Sequence, residues 1–67
     1  MLSEKFKAGD YVEVEYRVHD DGMPEGRKDG LILELVGAKA DQSLVLFSNG
    51  AILKFHNSQL VLISESR

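Results

Sequence analysis

Apolar and polar side chains alternate without a break from residue 11 to residue 18. Val12, Val14, Tyr16 and Val18 fall on one side, and Tyr11, Glu13, Glu15 and Arg17 on the other. A period of two in β-branched and aromatic residues predicts a strand with one buried face. Ahead of it, residues 1–9 form a polar lead-in with two apolar anchors, Leu2 and Phe6, spaced for one helical turn and stopped by Gly9-Asp10. Residues 19–30 hold Gly22, Gly26, Gly30 and the one proline, Pro24, which predicts a long polar loop. A second strand follows at 31–36 and a polar turn at 37–43. Strands at 44–47 and 51–55 flank Ser48-Asn49-Gly50. Asn-Gly between apolar runs predicts a hairpin with a two-residue type I′ turn, whose central residues both need positive φ. Residues 56–59 suit a single 3-10 turn capped by His56 and Asn57. Residues 60–63 make a fifth strand, and the remainder a frayed tail.

The polar residues inside the strands assign the faces. Glu34 marks the solvent side of the second strand, which sends Leu31, Leu33 and Leu35 inward and Ile32 and Val36 outward. Lys54 does the same for the fourth, placing Ala51, Leu53 and Phe55 inward and Ile52 outward. A two-residue turn pairs Phe47 with Ile52, Leu46 with Leu53, Val45 with Lys54 and Leu44 with Phe55. Leu44 and Leu46 then face the core, while Val45 and Phe47 face out. The expected core is Val12, Val14, Tyr16, Val18, Leu31, Leu33, Leu35, Leu44, Leu46, Leu53, Phe55, Leu60 and Leu62.

Ile32, Val36, Val45, Phe47 and Ile52 are left together on the outer face of strands two to four. Five such side chains expose several hundred Å², in the range of the largest patch on a soluble monomer, about 300–600 Å². The expected use is a protein interface, for self-association or for docking on a larger partner, with Phe47 as anchor. Two alternatives compete: residues 1–9 fold back over the patch, or a one-residue slip exchanges the faces.

Five short strands without a long helix predict an all-β fold, a small closed or nearly closed barrel. A long first loop, two shorter connections and a helical turn before the last strand resemble the layout of a Src-homology-3-like (SH3-like) barrel. Lys7-Ala8-Gly9-Asp10-Tyr11-Val12-Glu13-Val14 resembles the opening of KOW- and Tudor-type barrels, and Gly30-Leu31-Ile32-Leu33 their second-strand entry. Val45 to Gly50, followed by His56 to Ile63, is similar to the closing half of short stand-alone barrels from phages and bacteria. The resemblance implies a five-stranded SH3-like small β-barrel with a short helical turn before the last strand. It spans the whole chain as one domain, with an ordered core over about residues 7–63. It further implies a structural or adaptor module, with a phage accessory protein as one form of it. The chain departs from proline-peptide-binding members in having no tryptophan and no Ala-Leu-Tyr-Asp-Tyr-like segment.

Composition adds mostly exclusions. At 67 residues the chain buries only about 60% of its unfolded surface, so the core is thin. It has no cysteine, hence neither disulfides nor a thiolate metal site. No apolar run approaches the roughly 18–20 residues of a membrane span, and residues 1–9 lack the pattern of a signal peptide. A cytoplasmic protein, or one of the virion or host cytoplasm if phage-encoded, is the expectation. Eleven acids against eight bases give a net charge of −3. That balance disfavours phosphate-dominated binding. The alternative function, a KOW/Tudor-type nucleic-acid-associated barrel, would use Arg17, Arg27, Lys28 and Lys39 around the loops.

Catalytic and metal patterns are sparse. His56-Asn57-Ser58 sets a base near a hydroxyl, but no orienting carboxylate is adjacent, and the pair His56 and Asn57 is read as capping the turn. His19-Asp20-Asp21 with Asp29 lacks the alternate-residue ligands of a calcium loop. Glu13 and Glu15 share a face, which is read as solvated. The expectation is no enzyme activity, no cofactor, no metal and no small-molecule substrate.

Overall fold

The computed structural model describes residues 6–65. Five antiparallel strands form one sheet: β1 (Tyr11–Val14), β2 (Asp29–Val36), β3 (Gln42–Phe47), β4 (Ile52–His56) and β5 (Leu60–Ser64). A 3-10 turn, Asn57–Gln59, joins β4 to β5. The strand order is β4-β3-β2-β1-β5, so β4 and β5 are the two edges and the sheet is not closed. Val12, Val14, Ile32, Val45, Phe47, Phe55 and Leu60 form the buried core on its concave side, with Phe6, Val18, Met23, Leu35 and Leu53 packed against them. Phe47 and Phe55 meet edge to face, with ring centroids 6.0 Å apart.

β1 is shorter than its alternating pattern. Beyond Val14 its partners run out, since β2 starts opposite Glu13 and β5 starts opposite Val14. The chain bends at Tyr16-Arg17, closed by a Val18 N–H to Glu15 C=O bond of 2.9 Å. Tyr16, expected in the core, is therefore 75% exposed. The loop between β1 and β2 returns over the sheet. Met23 and Val18 pack on the core, and Asn49 Nδ2 donates to the Gly22 carbonyl at 3.1 Å.

Two local features exchange the expected faces of β2 and β3. The β3–β4 loop has three residues, Ser48-Asn49-Gly50, not two. Gly50 N–H donates to Phe47 C=O and Phe47 N–H to Ala51 C=O, both at 2.9 Å, with Gly50 at φ 87°. This is the three-residue hairpin in which a left-handed residue closes a type I turn. Leu46 then pairs with Ile52 and Val45 with Leu53, one residue away from the expected register. Since side chains alternate with period two, that single step turns all of β3 over.

The second feature is a β-bulge in β2. Ile32 pairs with Val45 and Glu34 with Leu44, leaving Leu33 without an opposite number. Glu34 does face solvent, but its parity does not carry back across the bulge. Ile32, Val45 and Phe47, expected outside, are 1%, 0% and 2% exposed and belong to the core. Leu31, Leu33, Leu44 and Leu46, expected inside, lie on the outer side by the same registers. Leu62, also expected in the core, is on the exposed β5 edge.

Gly30 allows the close crossing of β2 over β3. A Cβ there would sit 2.6 Å from Val45 Cγ1 and 2.8 Å from the Leu46 carbonyl oxygen, and backbone cannot step aside as a side chain can. Among the described residues, the buried polar side chains Asp10 and Ser43 are both bonded. Asp10 accepts from the Lys7 N–H at 2.9 Å, and Ser43 donates to Asn57 Oδ1 at 2.6 Å.

Candidate functional site

With the core filled, a second apolar surface remains on the convex side of β2, β3 and β4. Leu31, Leu46 and Ile52 are consecutive cross-strand neighbours, forming a row that crosses three strands. Leu44 lies beside them on β3, and the bulge turns Leu33 out on β2. Ile52 is 54% exposed and Leu33 is also exposed, whereas the three leucines between them are half-buried. Of the five residues expected here, Ile52 is exposed on this face and Val36 is half-buried opposite Gln42. Ile32, Val45 and Phe47 are inside, and four leucines stand on this side instead. Sequence missed them because both parities of β2 and β3 are apolar, so only the bulge and the loop length decide which set faces in.

The notion that residues 1–9 cover this face is corrected where it is described. Phe6 packs against the buried core, and the loop at Lys7–Asp10 is held to β2 by Gly9 N–H to Ile32 C=O, 2.8 Å. Leu2 lies outside the described residues.

Three of the four basic residues considered for nucleic acid, Arg17, Arg27 and Lys28, are engaged with the protein itself. Lys28 Nζ donates to the carbonyls of Tyr16 at 2.9 Å and Glu15 at 3.3 Å, which fastens the bend after β1. Arg27 Nε pairs with Asp29 Oδ1 at 3.4 Å. The Arg17 guanidinium lies over the Tyr16 ring, 5.4 Å from its centroid. Lys39 sits in the β2–β3 turn, at the far end of the eight-residue β2 from Arg27 and Lys28. Four cations so placed do not line one track.

Around Asp29 the charges are coupled. The Tyr11 hydroxyl donates to Asp29 Oδ2, and Arg27 donates to the same carboxylate. The Tyr11 hydrogen bond, then that of Arg27, holds the Asp29 carboxyl below the ordinary carboxylate range. The Asp29 carboxylate in turn pushes the Tyr11 hydroxyl above its usual value. Asp29 is therefore part of a cross-strand contact between β1 and β2. In the long loop, Asp20 Oδ1 accepts from Gly22 N–H at 2.9 Å and His19 Nε2 meets Asp21 Oδ1 at 3.3 Å. Among the described residues no three acidic, histidine or cysteine side chains gather as metal ligands.

The 3-10 turn carries a polar cluster that sequence foresaw only in part. His56 N–H donates to Gln59 Oε1 at 2.9 Å, and His56 Nδ1 accepts from Ser58 N–H at 3.3 Å, a reciprocal cap. Asn57 acts differently: it accepts from Ser43 and donates to the Ala40 carbonyl at 3.1 Å, tying the turn to the β2–β3 connection. Folding also brings Asp41 Oδ2 to 3.7 Å from His56 Nε2, while Ser58 Oγ lies 3.0 Å from Nδ1. The Asp41–His56 spacing exceeds a hydrogen bond, and both side chains are about half exposed. Glu13 and Glu15 border a shallow groove of about 220 Å³ with Val14, Tyr16, Lys28 and Val61.

Among the described residues, no helix is long and apolar enough to cross a membrane. Comparison with protein families, with characterised proteins and with solved structures found no match to this chain.

Proposed function

We propose that this chain is a non-enzymatic protein-binding module of SH3-like barrel architecture that docks another protein on the outer face of β2–β4. The long first loop, the two short turns and the 3-10 turn before β5 support the architectural part. One observation carries the function: after the core is complete, Leu31, Leu46 and Ile52 still form an apolar row across three strands, flanked by Leu33 and Leu44. An apolar row on the side of a sheet that faces away from its core, bordered by Glu34 and Lys54, has a surface to cover. Ile52, at the edge of the row and the most exposed of the five, is the side chain a partner reaches first.

A photoreactive residue placed at Ile52, and separately at Glu25 in the long loop, tests this in cells that make the protein. The expected result is protein adducts from position 52 and none from position 25. No adduct from 52, or equal labelling from both, overturns the reading.

A further inference from the structure

The outer face of β2–β4 is ordered in levels that the strand registers define. Leu31, Leu46 and Ile52 form the first level, Glu34, Leu44 and Lys54 the second, and Val36, Gln42 and His56 the third. β3, in the middle, therefore presents Leu46, Leu44 and Gln42 along this face and carries no charge. At the second level an acid stands on its β2 side and a base on its β4 side.

Glu34 and Lys54 are both exposed, and among the described residues neither has an ion-pair partner. Leu44 stands between them, and two strand spacings separate their backbones by about 10 Å. Opposite charges set on either side of an apolar strand match the same surface turned half a revolution about that strand.

We propose that this face packs on the same face of a second copy, about a two-fold axis running along β3 between the two sheets. This rests on the docking role given to the face above and names its partner. About that axis β2 of one copy lies over β4 of the other, and the levels are kept. Leu46 and Leu44 meet their own counterparts, and Leu31 meets Ile52 of the second copy. Glu34 meets Lys54 of the second copy, and the symmetry makes that pair twice. Val36 lies over His56 and Gln42 over Gln42, so no like charges face each other although each copy carries −3. A two-fold across the strands would instead set Glu34 on Leu31 and Lys54 on Ile52, covering each charge with hydrocarbon and no partner. Facing sheets pack with their strand directions within about 30° of each other, which an axis along β3 satisfies. An isologous contact of this kind stops at two copies. Three strands by three levels cover about 300 Å² of sheet. A standard interface buries roughly 800 Å² per partner, so this dimer separates on dilution.

Sedimentation equilibrium of the full chain, over a dilution series reaching millimolar concentration, reads the proposal. The wild-type mass is expected to rise from one chain to two and stop there. Glu34→Lys and Lys54→Glu should each weaken association at least about tenfold, because like charges then face each other. The far-ultraviolet circular dichroism spectrum should not change. General repulsion between copies would move the two variants in opposite directions, since one lowers the negative charge of the chain and the other raises it. Mixing the two variants should restore the dimer, because every pair across the axis is again Lys against Glu. Both exchanges in one chain should associate like the wild type, which decides the matter if a single variant unfolds. A wild-type chain that stays monomeric, single variants that associate unchanged, or a mixture no tighter than its parts overturns the pairing. A monomer whose position 52 still crosslinks to a different protein ends the pairing and keeps the docking role. A monomer with no adduct from position 52 ends both.

Discussion

Asp29 starts β2 with two donors on one carboxylate, Tyr11 from β1 and Arg27 from its own loop. The Tyr11 bond is the larger cause of its lowered pKa. A depressed folded pKa gives stability that is present above the unfolded value, near 3.8, and is lost as pH falls through the lower folded value. For Tyr11 the sign is opposite. Its contribution is complete below 10.0 and disappears as pH rises through the raised folded value. In Tyr11→Phe, the Asp29 carboxyl carbon followed by NMR should titrate closer to 3.8 than in wild type. A midpoint unchanged by the substitution would leave Arg27 as the cause. Asp29 was visible in the sequence only as one acid among several near a loop. Nothing local marks it as the partner of a tyrosine eighteen residues earlier.

At the level of the strands, most boundaries were legible and the faces of two were not. Asn-Gly announced the hairpin, and Gly50 takes the positive φ the motif requires. The number of loop residues is set elsewhere: by the gain from burying Phe47 against Phe55, and by Asn49 reaching the loop carbonyl of Gly22. A chain with Leu-Val-Leu-Phe in one strand and Leu-Ile-Leu in the next has apolar residues for either register, so its pattern cannot choose. Replacing Phe47 reads the outcome directly. Phe→Ala in a core costs about 3–5 kcal/mol. A 67-residue domain has about 3–10 kcal/mol in total. Phe47→Ala should therefore lower the urea midpoint by a large fraction, and Phe47→Glu should leave no cooperative transition. Native-like unfolding of the glutamate variant would return Phe47 to the surface. The outer apolar row was legible as a feature of strands two to four, and its expected members are mostly buried instead, for this one reason.

The whole molecule is an open sheet with a thin core, sealed on its concave side by the loop between β1 and β2 and crossed on its convex side by one apolar row among polar residues. Sequence had supplied the strand count, the 3-10 turn before β5 and the long loop. It could not supply the inward fold of that loop, which depends on Met23 and Val18 packing against the buried core at long range. The sealing in turn requires a bent sheet, and the extra residue in β2 bends it. Removing Leu33 would leave every cross-strand pair of β2 and β3 intact and restore a perfect alternation from Ile32 to Val36. By side-chain accounting it should be harmless, even favourable. The expectation is the reverse. A flatter β3–β4 arm would draw Asn49 away from Gly22, and the Met23 amide, bonded to Asp20 C=O at 3.0 Å, should exchange with solvent faster. Unchanged exchange at Met23 would show that curvature comes from elsewhere. Leu33 contributes here as a length of backbone, a hinge allowance cut into the weave, and any other residue in its place would keep the shape so long as it kept the count.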